Sequence, residues 1–327
     1  MRAITRPAKD KPPRLDSSHP VPQPSPTAYL VSTKATALTR GELTWPEPLE
    51  PEIPIPGYDL AGYIQQLPSE SPTPSRFKTN DEIYALTAFH RQGNAREVSL
   101  ALEEEMALKP RNMSFEEAAT VPLSALSAWQ ALFVHGKLEA NFTDRETLER
   151  STMGKRRVLV TAASGGVGIW GVQLAHQAGA QVVGTSGPTN VDFVKSLGAD
   201  MVLDYTKTDI ADWVNEDRES RCFDIVLDCV GGETLVSAWK CARKGGTVIS
   251  VAEPPVPKKP ATGVEEGVEG VWFIVSPNGA QLARITQLIE EGRCKGCVDN
   301  VYKLEQWEEA FDRVEGGHAR GKVVLQL

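Results

Sequence analysis

The segment from Arg156 to Ala175, RRVLVTAASGGVGIWGVQLA, constrains the fold more than any other part of this 327-residue chain. Val158 to Thr161 form an apolar run that is typical of a buried strand, and a glycine-rich turn follows it. After the turn, apolar residues recur three and four positions apart, which predicts a helix with one buried face. A further apolar run, Gln181 to Thr185, completes a strand–helix–strand unit. This is the setting in which a glycine-rich turn binds phosphate groups.

The turn itself, Ala163-Ser-Gly-Gly-Val-Gly168, has the spacing of a dinucleotide-binding loop, but alanine replaces the first glycine. Gly165 lets the backbone approach a pyrophosphate, which would lie at the N-terminus of the helix. Gly168 permits close packing of helix on strand, and Ser164 adds a hydroxyl donor. We therefore expect the turn to bind a dinucleotide; a glycine-rich turn without a ligand is the alternative.

The end of the second strand indicates which nicotinamide cofactor fits. NAD sites usually carry Asp or Glu about 20 residues past the motif, where it accepts hydrogen bonds from the ribose. The stretch from Gly184 to Asn190 contains no acid, and Ser186 and Asn190 can donate hydrogen bonds to a 2′-phosphate. We therefore predict NADPH. Because the strand tip has no Arg or Lys, Lys195 or Lys322 would have to supply the positive charge.

The chain changes character near residue 114. Residues 1–57 contain 12 of the 23 prolines, and short strand-like runs follow, which together predict an irregular β domain. Ser114-Phe-Glu-Glu117 is a capping box that starts a helix. From Arg157 to about residue 291, strands and helices alternate, and the strands are almost entirely apolar. This pattern predicts a parallel sheet covered on both faces.

Bulk properties exclude several classes of function. A net charge of −8 argues against a nucleic-acid partner, and no apolar run is long enough to cross a bilayer. The N-terminal residues include no apolar signal segment, so we expect a cytoplasmic protein. Cys294 and Cys297 form a single C-x-x-C pair without the second ligand pair that structural zinc needs, which favours reduced thiols.

Five segments resemble the medium-chain dehydrogenase/reductase superfamily, in its zinc-independent quinone oxidoreductase and enoyl reductase branch. They occur in the family's order across nearly the whole chain: Pro56–Gly62, Pro122–Leu132, Ala162–Gly168, Ser196–Asp200 and Gly317–Val324. The resemblance implies an α/β fold with a GroES-like β domain, residues 1–120 and 299–327. It also implies a Rossmann-type nucleotide domain with a doubly wound parallel sheet, residues 121–298.

The resemblance also locates the positions that hold zinc in zinc-dependent relatives. Motif matching places Thr39, Tyr58 and Leu123 there. Leucine cannot bind a metal, and neutral hydroxyl groups are poor zinc ligands. The relatives' lobe of four cysteines is also missing, since no cysteine precedes Cys222. We therefore predict that the chain has no metal site.

The resemblance further assigns site residues. It implies that Ser127 faces the nicotinamide amide, that Ser164, Gly165, Gly166 and Val167 hold the pyrophosphate, and that Tyr205 lies at the adenosine end. Val230, Val251 and Phe273 to Val275 would flank the cofactor. Tyr58 is the candidate donor to the substrate oxygen, with a pocket-lining role as the alternative. Thr39 would face the substrate, and Trp129 would either stack on the substrate or pack in the core.

These assignments favour an NADPH-dependent reductase. Without a Lewis acid, hydride delivery needs an already electrophilic carbon, such as that of an enone, an enoyl thioester or a quinone. One alternative is a trans-acting enoyl reductase that serves a polyketide-type synthase, with the polar insertion 137–155 as a docking surface. Another is a non-catalytic NADPH-binding protein.

Two structural expectations accompany this interpretation. The proline-rich segment 254–263 is either a lid or a passive linker. Relatives often pair through the edge strand of the nucleotide sheet, here Val271–Val275, so we expect a homodimer.

Overall fold

The computed structural model describes residues 1–7, 11–23, 25–45, 54–70, 75–140, 142 and 155–327. These residues form two compact units, unit 1 with residues 1–126 and 276–327, and unit 2 with residues 127–275. Most of the insertion 137–155, residues 141 and 143–154, lies outside the described ranges, so a docking surface there stays a prediction. No helix in the described part of the chain combines the length and apolar character needed to cross a membrane.

The elements follow in chain order. The N-terminal part of unit 1 comprises β1 (Ala3–Thr5), β2 (Arg14–Asp16), β3 (Ala28–Leu38), β4 (Asp59–Gln66), β5 (Glu82–Leu86), β6 (Val98–Leu102), β7 (Met106–Leu108), α1 (Phe115–Ala119) and α2 (Pro122–Trp129), whose last three residues belong to unit 2. Unit 2 continues with β8 (Arg157–Val160), α3 (Gly166–Gln177), β9 (Gln181–Ser186), α4 (Val191–Ser196), β10 (Met201–Asp204), α5 (Ile210–Asn215), α6 (Arg218–Arg221), β11 (Phe223–Asp228), α7 (Gly232–Cys241), β12 (Ala242–Ser250) and β13 (Glu269–Trp272). The C-terminal part of unit 1 comprises α8 (Gly279–Glu290), β14 (Val298–Lys303), α9 (Trp307–Glu315) and β15 (Lys322–Gln326).

Unit 1 is built on a mostly antiparallel sheet with the order β14-β15-β3-β4-β5-β7, and β6 pairs with β3. The last strand of the chain, β15, lies between β14 and β3, and its Val323 pairs with Leu38 of β3. A core of buried apolar side chains, among them Tyr29, Leu60, Ile64 and Ile83, packs on the β3–β5 portion. The irregular β domain predicted from the proline-rich N-terminal region is therefore this sheet.

Helix α8 packs within unit 1. The hydroxyl of Tyr84 donates to the carbonyl of Leu282 at 2.9 Å, and a Cβ at Gly279 would come within 2.3 Å of the carbonyl oxygen of Met106. The sequence placed residues 121–298 in the nucleotide domain, whereas residues 121–126 and 276–298 belong to unit 1. The alternation of strands and helices along the sequence is the same whether α8 packs on the sheet of unit 1 or on that of unit 2. The pattern therefore does not predict which sheet α8 covers.

Unit 2 is an open sheet with the order β10-β9-β8-β11-β12-β13, and all five strand pairs are parallel. The order reverses direction between β8 and β11, where ligands bind in doubly wound folds. Helix α3 lies close to the sheet, since a Cβ at Gly171 would come within 2.9 Å of the Leu227 side chain. The α/β fold class with a Rossmann-type sheet is confirmed. Strand β13 is an edge strand, and the homodimer through it stays a prediction.

Two helical segments are interrupted. Residues 210–221 form two short helices, α5 and α6, because Asp217 adopts a non-helical conformation and its side chain accepts a hydrogen bond from the Ser220 N–H. Helix α2 ends at Trp129, and the chain continues as a π-helix, Gln130–His135. The backbone N–H of Gly136 accordingly bonds to the carbonyl five residues earlier, at Ala131.

Candidate functional site

The glycine-rich turn connects β8 to α3 at the point where the strand order reverses. Ala162 adopts a left-handed conformation with φ of 47°, and its carbonyl accepts a hydrogen bond from the N–H of Gly165 at 2.9 Å. A non-glycine residue in this region is uncommon. The tight turn therefore lies one residue before the position where the motif usually has its first glycine.

Ala163 occupies that first-glycine position without a steric conflict. It is buried, and its N–H donates to the carbonyl of Thr185 on β9 at 2.8 Å. Space for its methyl group comes from Gly184, where a Cβ would lie only 2.8 Å from the Ala163 Cβ. The alanine at position 163 is therefore accommodated by a glycine, Gly184, on the neighbouring strand β9.

The N-terminus of α3 fits a pyrophosphate group. The first N–H groups of any helix lack an intrahelical partner. In this 12-residue helix the N-cap residue is Gly165, and no side chain caps these groups. Ser164, Gly165, Gly166 and Val167 are partly exposed. A Cβ at Gly168 would come within 2.1 Å of the Ala162 carbonyl oxygen, so the turn and the helix touch closely. This arrangement of open amides and helix dipole is suited to an anion.

The other predicted cofactor residues of unit 2 follow the carboxyl ends of its strands. Ser186 ends β9, Tyr205 follows β10, and Val230 and Val251 follow β11 and β12. Phe273 and Val275 follow β13, while Asn190 ends a short 3-10 turn after β9 and buried Ser127 lies in α2. Because the carboxyl ends of parallel strands share one edge of the sheet, the residues after these strands lie along the edge that carries the glycine-rich turn.

The predicted 2′-phosphate donors are placed differently from each other. Ser186 is buried and its hydroxyl donates to the carbonyl of Gly187 at 3.1 Å, so this bond would have to break before it could reach a phosphate. Asn190 is partly exposed, and Tyr205 is exposed with its hydroxyl 3.4 Å from where a Cβ at Gly187 would stand. The role of these residues in cofactor choice stays a prediction.

A buried polar network at the strand-order reversal escaped the sequence interpretation. The Asp228 carboxylate accepts hydrogen bonds from the hydroxyls of Thr161 at 3.0 Å and Ser250 at 2.9 Å. It also accepts the backbone N–H of Val230 and Gly231. The network ties together the ends of β8, β11 and β12 and fixes the loop that exposes Val230. Each residue type is common in strand ends, so the sequence alone does not reveal the network.

In unit 1, Asp59 is the first residue of β4, directly after Tyr58, and it contacts Leu123 and the ammonium that binds Thr39. Its Oδ1 accepts the N–H of Leu123 at 2.7 Å, and its Oδ2 lies 3.4 Å from the Lys322 ammonium. The same ammonium donates to the Thr39 hydroxyl at 2.7 Å. A leucine, a tyrosine and a threonine beside an ammonium group do not fit a zinc ion. In the described part of the chain, no group of three or more His, Cys, Asp or Glu side chains could hold a metal.

Lys322, a predicted cofactor residue, is thus buried in unit 1 and engaged with Thr39 and Asp59. Its amine is held by partners of its own unit, which supports a structural role. A contact with the cofactor stays a prediction.

The candidate substrate residues Tyr58 and Trp129 are both surrounded by aromatic side chains. Tyr58 is buried, stacks on Trp45 with ring centroids 5.8 Å apart, and donates a long hydrogen bond of 3.4 Å to the carbonyl of Phe89. Within unit 2, Trp129 is 8% exposed and contacts Phe133 and Phe142. These contacts favour core packing for Trp129. The role of Tyr58 as a donor stays a prediction.

Glu42 is a candidate functional residue that the sequence interpretation did not select. It is buried in a 3-10 turn, Glu42–Thr44, and accepts N–H bonds from Thr39 and Gly57, each at 3.2 Å. Burial raises its pKa to about 8, and the nearby Lys322 ammonium offsets only part of this effect. The available signal was the acid Glu42 in the segment Thr39-Arg-Gly-Glu42, directly after β3.

The proline-rich segment 254–263 is anchored to unit 2. The indole N–H of buried Trp239 donates to the carbonyl of Pro255 at 2.9 Å, and the Lys259 ammonium lies 5.0 Å from the centroid of the same ring. Pro255 itself is buried. These contacts support the linker interpretation rather than a lid.

Comparison with known proteins adds independent information. A family model described as "Zinc-binding dehydrogenase" matches residues 197–325. A probable zinc-binding oxidoreductase, mitochondrial, of Arthroderma benhamiae is 43% identical over 313 residues, which cover 94% of this chain and 91% of that protein. A quinone-oxidoreductase homolog, chloroplastic, of Spinacia oleracea is 31% identical, with 93% and 91% of the two chains covered. The solved structure of an alcohol dehydrogenase superfamily protein from Novosphingobium aromaticivorans has a TM-score of 0.84 at 22% identity, covering 100% of this chain and 99% of that one.

Proposed function

The chain belongs to the medium-chain dehydrogenase/reductase superfamily of oxidoreductases, and from this premise we propose that it is an NADPH-dependent, zinc-independent reductase of activated C=C bonds or quinones. The proposed acceptors are small molecules in which a carbonyl group already polarises the reacting carbon. The cytoplasmic location also stays a prediction, since the two relatives named above are described as mitochondrial and chloroplastic.

The observation that carries the proposal is the pairing of an anion-binding turn with a site that does not fit zinc. The uncapped N-terminus of α3 supports binding of a dinucleotide pyrophosphate. The side chains of Thr39, Tyr58 and Leu123 supply no suitable zinc ligands. An oxidoreductase site without a Lewis acid favours substrates that are electrophilic on their own.

The cofactor, when bound, supplies the hydride. The turn Ala162–Gly168 would hold the pyrophosphate through backbone amides, and Val230 and Val251 would flank the dinucleotide at the carboxyl edge of the sheet. The absence of an acid between Ser186 and Asn190 supports NADPH, because an acid there would repel the 2′-phosphate. The buried Thr161–Asp228–Ser250 network keeps these loops in position.

The experiment is an acceptor panel with the purified protein and NADPH, followed by absorbance at the nicotinamide band. We expect oxidation of NADPH with at least one enone, enoyl thioester or quinone. Activity restricted to carrier-bound enoyl groups would support the trans-acting enoyl reductase instead. Tight NADPH binding without oxidation by any acceptor would identify a non-catalytic binding protein and contradict the proposal.

A further inference from the structure

Four side chains of unit 1 form what we call the buried charge cluster: Glu42, Asp59, Lys322 and Thr39. The Lys322 ammonium lies 3.4 Å from Asp59 and donates to Thr39 at 2.7 Å, and the Thr39 N–H in turn donates to Glu42. Asp59 is fully buried, and Glu42 and Lys322 are nearly so. The cluster therefore contains two carboxyl groups and one ammonium in a region that excludes water.

This composition favours a single proton shared unequally by the two carboxyl groups. Burial raises the pKa of Asp59, and the ammonium and the N–H of Leu123 at close range offset part of this effect. Glu42 has only two long N–H bonds, and burial raises its pKa to about 8. Two buried carboxylates beside one cation would leave a net negative charge, which is costly. Glu42 therefore carries the proton at neutral pH.

Glu42 also lines a small cavity on the surface of the cluster. The other described lining residues are mostly apolar or aromatic: Arg6, Leu43, Trp45, Pro54, Ile55, Pro56 and Tyr58. The cavity volume of ≈ 20 Å³ is enough for one water molecule or one oxygen-sized group. Among the described lining residues, Glu42 is the acid, and its charged and titratable neighbours are Arg6, Tyr58, Lys322 and Asp59. A neutral carboxylic acid that faces a mostly apolar cavity is a hydrogen-bond donor for a carbonyl oxygen.

We propose that Glu42, in its protonated form, is the acid that donates a proton to the substrate's carbonyl oxygen, an inference that rests on the proposed function. The geometry behind it is the position of Glu42 between the buried charge cluster and the cavity walled by Trp45 and Tyr58.

The proton transfer balances as follows for an enone. Addition of hydride to the β carbon moves an electron pair onto the carbonyl oxygen and gives an enolate. The O–H bond of Glu42 breaks, a new O–H bond forms on the product oxygen, and the electron pair stays on the Glu42 carboxylate. The enol tautomerises to the ketone in water, and Glu42 recovers a proton from solvent. The Lys322 ammonium stabilises the carboxylate in the interval.

The first arm of the test measures protonation without any cofactor or turnover. Carbon-13 NMR of protein labelled at the glutamate carboxyl carbons is recorded from pH 5 to pH 9.5, and Glu42→Gln identifies the resonance. We expect this carboxyl to titrate near pH 8. A Glu42 carboxyl that is already ionised at pH 5, as its ordinary pKa of 4.5 implies, would overturn the proposal.

The second arm measures kcat against pH with NADPH and the best acceptor from the panel. We expect the wild-type kcat to fall above about pH 8. In Glu42→Gln, kcat should be lower by about a hundredfold or more, and it should no longer decrease above pH 8. Glu42→Asp should retain part of the activity and a pH-dependent profile. Glu104→Gln, which changes an exposed glutamate of the same unit, should match the wild type.

The outcomes separate the two proposals. If the wild type oxidises NADPH but Glu42→Gln keeps the same kcat and pH profile, the role of Glu42 is wrong and the proposed function stands. If Glu42→Gln does not fold, a wild-type kcat that does not fall above about pH 8 contradicts the role in the same way. If the wild type reduces no acceptor, both proposals fail.

Discussion

The ammonium of Lys322 on β15 and the carboxylate of Asp59 on β4 lie 3.4 Å apart, and neither side chain is more than 6% exposed. The ion pair connects the C-terminal strand of the chain to the strand that begins beside Tyr58. Lys322 is also the cation of the buried charge cluster. Removing the ammonium leaves two buried carboxyl groups, Glu42 and Asp59, without a cation.

The first prediction concerns this ion pair. Lys322→Met should lower the free energy of unfolding by about 3–5 kcal/mol, because Asp59 then has to hold an uncompensated charge or take up a proton in a buried site. Urea unfolding followed by circular dichroism measures the change. The double variant Lys322→Met with Asp59→Asn is the control and should recover part of the loss. A loss below about 1 kcal/mol, the range of exposed ion pairs, would contradict the assignment.

The second prediction concerns pH and Glu42. The native pKa of Glu42 is about 8, above the ordinary value of 4.5, so between these pH values the native state holds a proton that the unfolded state releases. This contribution to stability is complete below pH 4.5 and is lost as the pH rises towards 8, at up to about 1.4 kcal/mol per pH unit.

Glu42→Gln lacks this dependence, because its amide stays neutral. The free energy of unfolding of the variant relative to the wild type should therefore increase as the pH is raised from 5 to 8. Parallel chemical unfolding series at several pH values measure the difference. A difference that does not change with pH would show that Glu42 is ionised in the native protein across this range.

The third prediction concerns the packing of the glycine-rich turn on α3. Gly168→Ala places a methyl group within 2.1 Å of the Ala162 carbonyl oxygen and 2.8 Å of the Ala163 Cα, and both are backbone atoms that cannot rotate away. We expect a loss of about 1–3 kcal/mol in stability and at least tenfold weaker NADPH binding. Isothermal titration calorimetry and thermal unfolding measure the two effects.

The matched control for this change is Gly316→Ala in unit 1. Its new methyl group would meet backbone atoms at 3.4 and 3.5 Å, which are ordinary contact distances, and its φ of −58° suits alanine. This variant should bind NADPH like the wild type. If Gly168→Ala also binds NADPH like the wild type, the turn does not hold the pyrophosphate.

The fourth prediction concerns cofactor choice at the tip of β9. Gly187 has φ of −70° and room for a side chain, since a Cβ there would lie 3.4 Å from the Tyr205 hydroxyl. Gly187→Asp should weaken NADPH relative to NADH by on the order of tenfold or more, because the carboxylate repels a 2′-phosphate and accepts ribose hydroxyls. Gly187→Asn has nearly the same shape without the charge. An equal change in both variants would exclude the electrostatic explanation.

The fold class and the order of helices and strands were predictable from the sequence because both depend on local patterns. The apolar runs and helical spacing around Ala163 are readable over about 30 residues, and they predicted the strand–helix–strand unit. The sequence pattern did not show why alanine fits at position 163, because the space for its methyl group comes from Gly184 on another strand. The placement of α8 against β5 and β7 also depends on contacts far apart in sequence, such as Tyr84 with Leu282 and Met106 with Gly279.

The candidate site was predicted in part for the same reason. Residues that follow strands, such as Tyr205 and Val230, were selected from their position relative to the β–α pattern. Glu42 was missed because its significance arises only when Asp59 and Lys322, from two distant strands, are placed beside it. Burial and charge balance are properties of the folded unit, and a short motif does not carry them.

The most direct measurement of the central claim follows the transferred hydrogen. The protein, treated with a chelator, is incubated with NADPH deuterated at C4 on either face and with an enone it reduces. We predict that deuterium from one of the two labelled forms appears at the β carbon of the product by NMR, at the same rate as without the chelator. Product without deuterium at that carbon, or loss of activity that added zinc restores, would contradict a zinc-independent reductase of activated C=C bonds.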